Sequence, residues 1–259
     1  GYNTGGGKSI YGPNGKGVIS ITDNATLQGK LYIGINSNVT YGSTAIYVDG
    51  GTLHNTGGRG NDSRIGYYGY GYIQLDAGTI TNNGFTQFGA HYPGVGLYRQ
   101  NGGKLAFAGG ATAANGGDGY FEGTFTASRG GTGVIHLAGG EFRVHASTYG
   151  GRILLGDNSD NGGTKGQSVL TVEGTADVYT PWIDTAYRSD HQSLVNLNGG
   201  DLSTAYITKG NYATNATRVN YNGTTIHTVP NPNSLLYGSN ATNAPVARVW
   251  QGGARYDVS

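Results

Sequence analysis

A short alternating run that meets a turn of small residues recurs eight times along this chain. The copies are YVDGGTL (47–53), IQLDAGTI (73–80), RQNGGKL (99–105), IHLAGGEF (135–142), LTVEGTA (170–176), VNLNGGDL (195–202), VNYNGTTI (219–226) and VWQGGARY (249–256). Aligned on the second small turn residue, the equivalent positions are Gly51, Gly78, Gly103, Gly140, Thr175, Gly200, Thr224 and Gly253, spaced 27, 25, 37, 35, 25, 24 and 29 residues apart. A period in the twenties predicts a solenoid of stacked coils, and the two longer intervals predict loop insertions.

Composition excludes several other classes of protein. Glycine accounts for 50 of 259 residues, but with only 6 prolines and no sustained Gly-x-y triplet the chain is not collagen. Twenty tyrosines and regularly placed Val, Ile and Leu argue against a disordered low-complexity chain. The net charge of +1 gives no electrostatic footprint for nucleic acid, and no apolar run reaches the length of a membrane span.

The chain contains neither cysteine nor methionine and starts at Gly1. We therefore expect a mature or excised piece of a larger surface protein. A chain without either sulfur residue has no thiol or thioether that can be oxidised, and we therefore expect an extracellular or cell-surface location.

Apolar residues stand at alternate positions in several copies, as at Ile73 and Leu75 or Val195 and Leu197. This alternation predicts β-strands with one row of side chains inside and one outside. Several copies are preceded by an apolar residue that is followed directly by glycine, at 32–34, 64–66, 87–89 and 154–156. Three strands per coil predict an all-β, right-handed parallel β-helix with coils of about 24–29 residues, because one coil cannot bury its inner row alone. The corners are assigned to glycines, which tolerate left-handed backbone angles. These structural turn residues are Gly51, Gly78, Gly103, Gly140, Gly200 and Gly253.

Three segments follow from the repeat. Residues 1–229 are predicted to form the solenoid coils, and residues 230–247 are a break or loop rich in Pro and Asn. Residues 248–259 are predicted to start a further coil, so that neither end of the solenoid carries an evident cap.

The strand–GlyGly–strand units resemble the autotransporter-associated β-strand repeats of large bacterial surface proteins, most clearly in SLVNLNGGDLST (193–204) and VWQGGARYD (249–257). The resemblance covers most of the chain and rests on a degenerate pattern. It implies an exported passenger-type parallel β-helix with a structural, adhesive or carrier role, and it brings no shared active site.

Three sets of residues are candidate sites. Asp184, Arg188, Asp190 and His191 are the candidate acid/base cluster, although Arg–Asp pairs on loops are usually ordinary ion pairs. Asp157, Ser159, Asp160 and Asn161 place oxygens as in the first half of a calcium loop, but Ser168 replaces the bidentate Glu of an EF-hand. Tyr67, Tyr68, Tyr70 and Tyr72 predict either a glycan-binding or self-association surface, or an aromatic ladder between coils.

The sequence therefore predicts a non-enzymatic structural protein that needs no cofactor, with calcium as the one candidate. We expect a β-helical subunit or passenger segment of a surface fibre, sheath or adhesin stalk, whose partner is itself through uncapped solenoid ends. A glycan-binding adhesin module that uses exposed Tyr to bind cell-surface or host glycans is the alternative. The third hypothesis is that the protein is a polysaccharide lyase or hydrolase.

Overall fold

The computed structural model confirms an all-β solenoid built of stacked parallel strands. It describes residues 9–13, 16–35, 42–56, 63–82, 86–107, 125–128, 130–144, 151–156, 166–185, 191–209, 217–229, 235–237 and 245–257. Within these ranges there is no helix, and so none that is long and apolar enough to cross a membrane.

The first twelve strands are β1 (Ser9–Pro13), β2 (Lys16–Thr22), β3 (Thr26–Ile35), β4 (Ser43–Asn55), β5 (Ser63–Ile65), β6 (Tyr70–Asn82), β7 (Thr86–Phe88), β8 (Val95–Gln100), β9 (Lys104–Phe107), β10 (Phe125–Ala127), β11 (Thr132–Leu137) and β12 (Glu141–Arg143). The second twelve are β13 (Ile153–Leu155), β14 (Gln167–Val172), β15 (Asp177–Tyr179), β16 (Trp182–Thr185), β17 (Gln192–Leu197), β18 (Asp201–Thr204), β19 (Tyr206–Lys209), β20 (Arg218–Tyr221), β21 (Thr225–Thr228), β22 (Leu236–Tyr237), β23 (Val246–Val249) and β24 (Arg255–Asp257).

The strands form three ladders, one on each face of the solenoid. Face 1 contains β2, the first halves of β4 and β6, and then β8, β11, β14, β17, β20 and β23. Face 2 follows the small-residue turn and contains the start of β3, the second halves of β4 and β6, and then β9, β12, β15, β18, β21 and β24. Face 3 contains β1, the end of β3, and then β5, β7, β10, β13, β16, β19 and β22.

The core lies between the three faces and is built from the inward row of each ladder. On face 1 this row includes Ile46, Ile73, Tyr98, Ile135, Leu170, Val195 and Val219, none more than 3% exposed. The matching row on face 2 includes Leu53, Ile80, Leu105, Phe142, Val178, Leu202 and Ile226. Each strand thus buries alternate residues against the coils above and below it.

The two long intervals predicted from the repeat separate consecutive coils of face 1, since Tyr98 pairs with Ile135 and Ile135 with Leu170. Most of the predicted loop segments 108–119 and 156–166 lies outside the described residues. At this level the core carries an aromatic cluster, in which the ring of Phe125 lies 4.9 Å from Phe88 and 5.2 Å from Phe142. Aromatic side chains therefore fill the core around the first of the two long intervals.

The predicted glycine corners lie in the turns between face 1 and face 2. Gly140 has φ +74°, and a Cβ there would be 2.4 Å from the Gly103 carbonyl oxygen, so a larger residue would meet both strain and a clash. Gly78, Gly103, Gly200 and Gly253 also have positive φ. At the first of these turns it is Gly50, at φ +98°, that is left-handed, and Gly51 is instead constrained by the close approach of Ala25.

The strand register corrects the alignment at two turns. Asp177 pairs with Glu141, and Arg255 pairs with Thr225. Ala176 and Ala254 therefore stand level with Gly140 and Thr224, where the repeat predicted Thr175 and Gly253. In both copies more residues separate the face 1 and face 2 strands than in the other six copies, and the alignment therefore slips by one position.

The glycines that end the face 3 strands form a second corner. Gly89 has φ +66°, and a Cβ there would be 2.1 Å from the Thr132 carbonyl oxygen. Ser128 stands at the equivalent position one coil later, also with φ +66°, and its hydroxyl donates to the Gly131 carbonyl at 2.6 Å. A short local hydrogen bond thus accompanies a non-glycine residue in the left-handed conformation.

The chain continues as a ladder past the predicted Pro/Asn-rich break. β22 and the first two residues of β23 fall within 230–247, and β23 pairs with β20 in the register of the preceding coils. β24 then pairs with β21, so that residues 246–257 form the last described coil.

Candidate functional site

The one predicted acid/base carboxylate that the structure describes lies in a buried ion pair. Asp184 lies on β16 of face 3 and is 5% exposed. Its Oδ2 atom is 2.8 Å from Nη1 of Arg152 and accepts a hydrogen bond from the Trp182 indole N–H at 3.3 Å. Burial raises the pKa of the Asp184 carboxyl, and the opposing effects of the Arg152 charge and the Trp182 hydrogen bond are smaller.

His191 is the second described member of that cluster. It directly precedes β17 and is completely buried. Its ring packs so closely on Gly166 that a Cβ there would lie 2.2 Å from His191 Cε1. Arg188 and Asp190 lie outside the described residues. The structure thus places one carboxylate in an ion pair and one imidazole in tight packing, and a catalytic role for the cluster stays a prediction.

The predicted calcium ligands Asp157, Ser159, Asp160 and Asn161 all lie in 157–165, outside the part of the chain that the structure describes. Among the residues it does describe, no three His, Asp or Glu side chains are grouped so that they could hold a metal ion.

The tyrosine segment is divided between two environments. Tyr67 and Tyr68 pack between coils: the Tyr67 ring is edge-on to Tyr32 at 6.2 Å, and Tyr68 stacks on His91 at 5.1 Å. The guanidinium of Arg64 lies over the Tyr67 ring at 4.8 Å. These two tyrosines therefore form part of an aromatic cluster that joins neighbouring coils.

Tyr70 and Tyr72 instead point outward from β6 on face 1. Tyr70 is 55% exposed, and the Tyr72 ring lies edge-on to Tyr47 of the preceding coil at 5.6 Å. Both line an open groove of about 430 Å³ on this face. The other residues along it are Lys16, Gly17, Val18, Ser43, Thr44, Ala45, Gly71, Val95 and Leu97.

An apolar column runs along the outside of face 1 through six successive coils. We call it the apolar stripe, and its residues are Ala45, Tyr72, Leu97, Val134, Val169 and Leu194. All six are half-buried and point away from the core. The column begins one coil earlier with Val18, which is 73% exposed, and the ladder continues into Arg218. A second groove, of about 410 Å³, lies beside Val169 and Leu194.

The apolar stripe is not predicted from the alternation pattern, although the sequence contains a signal for it. Strict alternation predicts a polar residue before each inward one, yet seven coils place two apolar residues in succession. These pairs are Val18–Ile19, Ala45–Ile46, Tyr72–Ile73, Leu97–Tyr98, Val134–Ile135, Val169–Leu170 and Leu194–Val195. Only the register shows that the first member of each pair lies on the outside in a single column.

Face 2 carries its charges in pairs that join one coil to the next. Lys104 Nζ lies 3.0 Å from Glu141 Oε2, and Arg143 Nη1 donates to Asp177 Oδ1 at 2.9 Å. Further along, the His227 ring lies between two carboxylates, 3.3 Å from Asp201 and 3.2 Å from Asp257. The ionisable groups of this face are therefore largely matched within the chain.

The last described coil leaves its inward row exposed. Val249 is 66% exposed, whereas Leu197 and Tyr221, below it in the same column, are at most 1% exposed. Tyr256 is 51% exposed, above a fully buried Ile226. Apolar side chains that belong to the core columns are thus exposed to solvent at this end.

No protein-family model, no curated protein and no solved structure matches this chain. The resemblance to autotransporter-associated repeats stays a prediction.

Proposed function

We propose that this chain is an extracellular structural protein, a β-helical subunit or passenger segment that builds a surface fibre, sheath or adhesin stalk by stacking end to end. The observation that carries the proposal is the exposed inward row of β23 and β24, with Val249 at 66% and Tyr256 at 51%. Exposed side chains in core columns are stabilised only when another coil covers them.

The first coil of a second copy has the chemistry needed to cover this row. Ile19 and Leu27 are only partly buried and stand in the columns that Ala247 and Tyr256 extend, so stacking would continue apolar columns from copy to copy. The outer backbone edges of β23 and β24 would pair at the same time, as edge strands do when they add another strand. The absence of Cys and Met supports an exported location, because such a chain has no sulfur group to oxidise.

The test is a double substitution in the exposed row, Val249→Lys with Tyr256→Lys, followed by electron microscopy and light scattering. We expect filaments or linear oligomers from the wild type and their loss in the double variant, because two ammonium groups would face an apolar core. Val246→Lys is the matched control, since Val246 is 52% exposed on the same strand but points outward. A wild type that stays monomeric at every concentration would contradict the proposal.

Glycan binding is the second candidate function, favoured by the groove beside Tyr70 and Tyr72. An exposed Tyr ring next to polar side chains offers both a stacking surface and hydrogen bonds for a sugar. We expect Tyr70→Ala to abolish retention on a glycan array. The control is Tyr92→Ala, because Tyr92 is 64% exposed but does not line the groove. Equal retention by both variants, or none by the wild type, would contradict glycan binding there.

A further inference from the structure

The apolar stripe lies at the centre of a nearly uncharged surface. The outward columns on its two sides hold Ser43, Tyr70, Val95, Thr132, Gln167 and Gln192 on one flank and Tyr47, Gln74, Arg99, His136, Thr171 and Asn196 on the other. Within these six coils Arg99 is the one residue in the three columns with a permanent charge. His136 faces Glu173 at 2.7 Å and is thereby matched within the chain.

We propose that face 1 is a lateral interface that pairs with face 1 of a second copy of this chain. Two sheets pack face to face about 10 Å apart, with strand directions within about 30° of each other, when apolar side chains of both interdigitate. The stripe offers one apolar side chain at every coil step of about 4.8 Å. A second copy repeats the same side chains at the same step, and so can fill every gap along the stripe.

The available area agrees with a dimer of modest affinity. Six coils at about 4.8 Å and three outward columns spaced about 7 Å apart cover about 600 Å² per copy. The total of about 1,200 Å² lies at the lower limit for specific protein interfaces. We therefore expect dimers that dissociate on dilution.

Positive charges at the two ends of face 1 limit how much of this face can pack against a second copy. Lys16 lies at one end of face 1, and Arg218 and Arg248 lie at the other. In either orientation of two paired faces, positive groups meet at the ends, and like charges that approach each other are unfavourable. The neutral section from Ala45 to Leu194 is therefore the part that can close against its copy.

This inference is independent of end-to-end stacking, because it uses no residue of the exposed row of β23 and β24. Sedimentation of the Val249→Lys/Tyr256→Lys variant, which blocks the end, isolates the lateral contact. We expect this variant to form a concentration-dependent dimer. Adding Val134→Lys and Val169→Lys should weaken dimerisation about tenfold or more, since each buried ammonium would lack a partner.

The matched control adds Tyr179→Lys and Ser203→Lys, two outward positions on neighbouring coils of face 2. It introduces the same charge and should leave the dimer unchanged. A monomer at all concentrations with the fold intact, or equal loss of dimer in both sets of variants, would overturn the proposal. Loss of end stacking alone would leave it standing.

Cross-linking identifies the surface directly, because the chain contains no cysteine. We expect Val134→Cys to form a covalent dimer with a thiol-specific linker of about 10 Å, the spacing of packed sheets. Ser203→Cys on face 2 is the control and should stay monomeric. If Ala45→Cys and Leu194→Cys each link to their own copies, the two solenoids run parallel; if they link only to each other, the solenoids run antiparallel. Cross-linking no stronger at Val134→Cys than at Ser203→Cys would contradict the interface.

Discussion

Face 1 and face 2 share one core but present different chemistry to the outside. The outward columns of face 2 hold charges that pair from coil to coil, such as Lys104 with Glu141. The outward columns of face 1 hold an aliphatic and aromatic stripe with few charges. Because the inward rows and backbone ladders define the stack on both faces, the outward columns are free to differ. We therefore expect functional contacts on a face whose outward side chains form an apolar stripe instead of charge pairs within the chain, as on face 1.

The largest effect is expected from a substitution that breaks the core common to both faces. Leu170→Ala should lower the free energy of unfolding by about 3–4 kcal/mol, because Leu170 is completely buried and the smaller side chain leaves a cavity. Val169→Ala, on the neighbouring outward residue, should cost less than about 1 kcal/mol. Urea denaturation measures both values. Equal losses would mean that the stripe is as deeply packed as the core, and the distinction between the two columns would fail.

A smaller effect is expected at the corner that separates the two faces. Gly140→Ala should cost about 2 kcal/mol, since it adds a Cβ at φ +74° and brings it 2.4 Å from the Gly103 carbonyl oxygen. Gly223→Ala tests the backbone strain alone, because φ is +100° but the nearest atom would be 3.8 Å away, and should cost about 1 kcal/mol. If thermal unfolding finds the two variants equally stable, close approach of the backbone is not what requires glycine at Gly140.

The buried ion pair of face 3 sharpens the contrast with the exposed pairs of face 2. Burial raises the pKa of Asp184 in the folded state, so the fold favours the protonated carboxyl. The resulting stability is fully present below the pKa of the unfolded carboxyl, about 3.9, and is lost as pH rises through the folded pKa. The wild type should therefore lose stability relative to Asp184→Asn as pH rises from about 3.5 toward neutrality. A relative gain over that interval would mean that attraction to Arg152 outweighs burial.

The smallest effect is expected on face 2 itself. Arg143→Ala removes the pair with Asp177 and should cost about 0.5 kcal/mol, because the Asp177 side chain is 48% exposed and water screens the pair. Most of that difference should disappear in 1 M salt. Denaturation of both proteins at low and high salt is the measurement. A loss of several kcal/mol would mean that the charged ladder, and not the core alone, holds the coils together.

The sequence predicts the inward rows and corners well because both follow from local chemistry. Alternation identifies residues such as Ile135 and Leu137, and glycine identifies turns that need a left-handed residue, such as Gly140. The alignment slips by one residue at Thr175 and Gly253, since turn length is invisible until neighbouring strands pair.

The outward surface is harder to predict, because an outward column exists only in the register of many coils. Val134 and Val169 are 35 residues apart in sequence but adjacent in the ladder. Likewise, no pattern within TyrTyrGlyTyrGlyTyr (67–72) indicates that Tyr67 and Tyr68 pack between coils while Tyr70 and Tyr72 point out from face 1. The handedness of the solenoid stays a prediction of the sequence.

Diffraction from concentrated, aligned native material is the most direct test of end-to-end stacking, in which coils of one copy stack on coils of the next. We expect filaments that give a reflection at about 4.8 Å along the filament axis and that are continuous over lengths far beyond one copy. Isolated rods about 43 Å long, the height of nine stacked strands, at every concentration would contradict it.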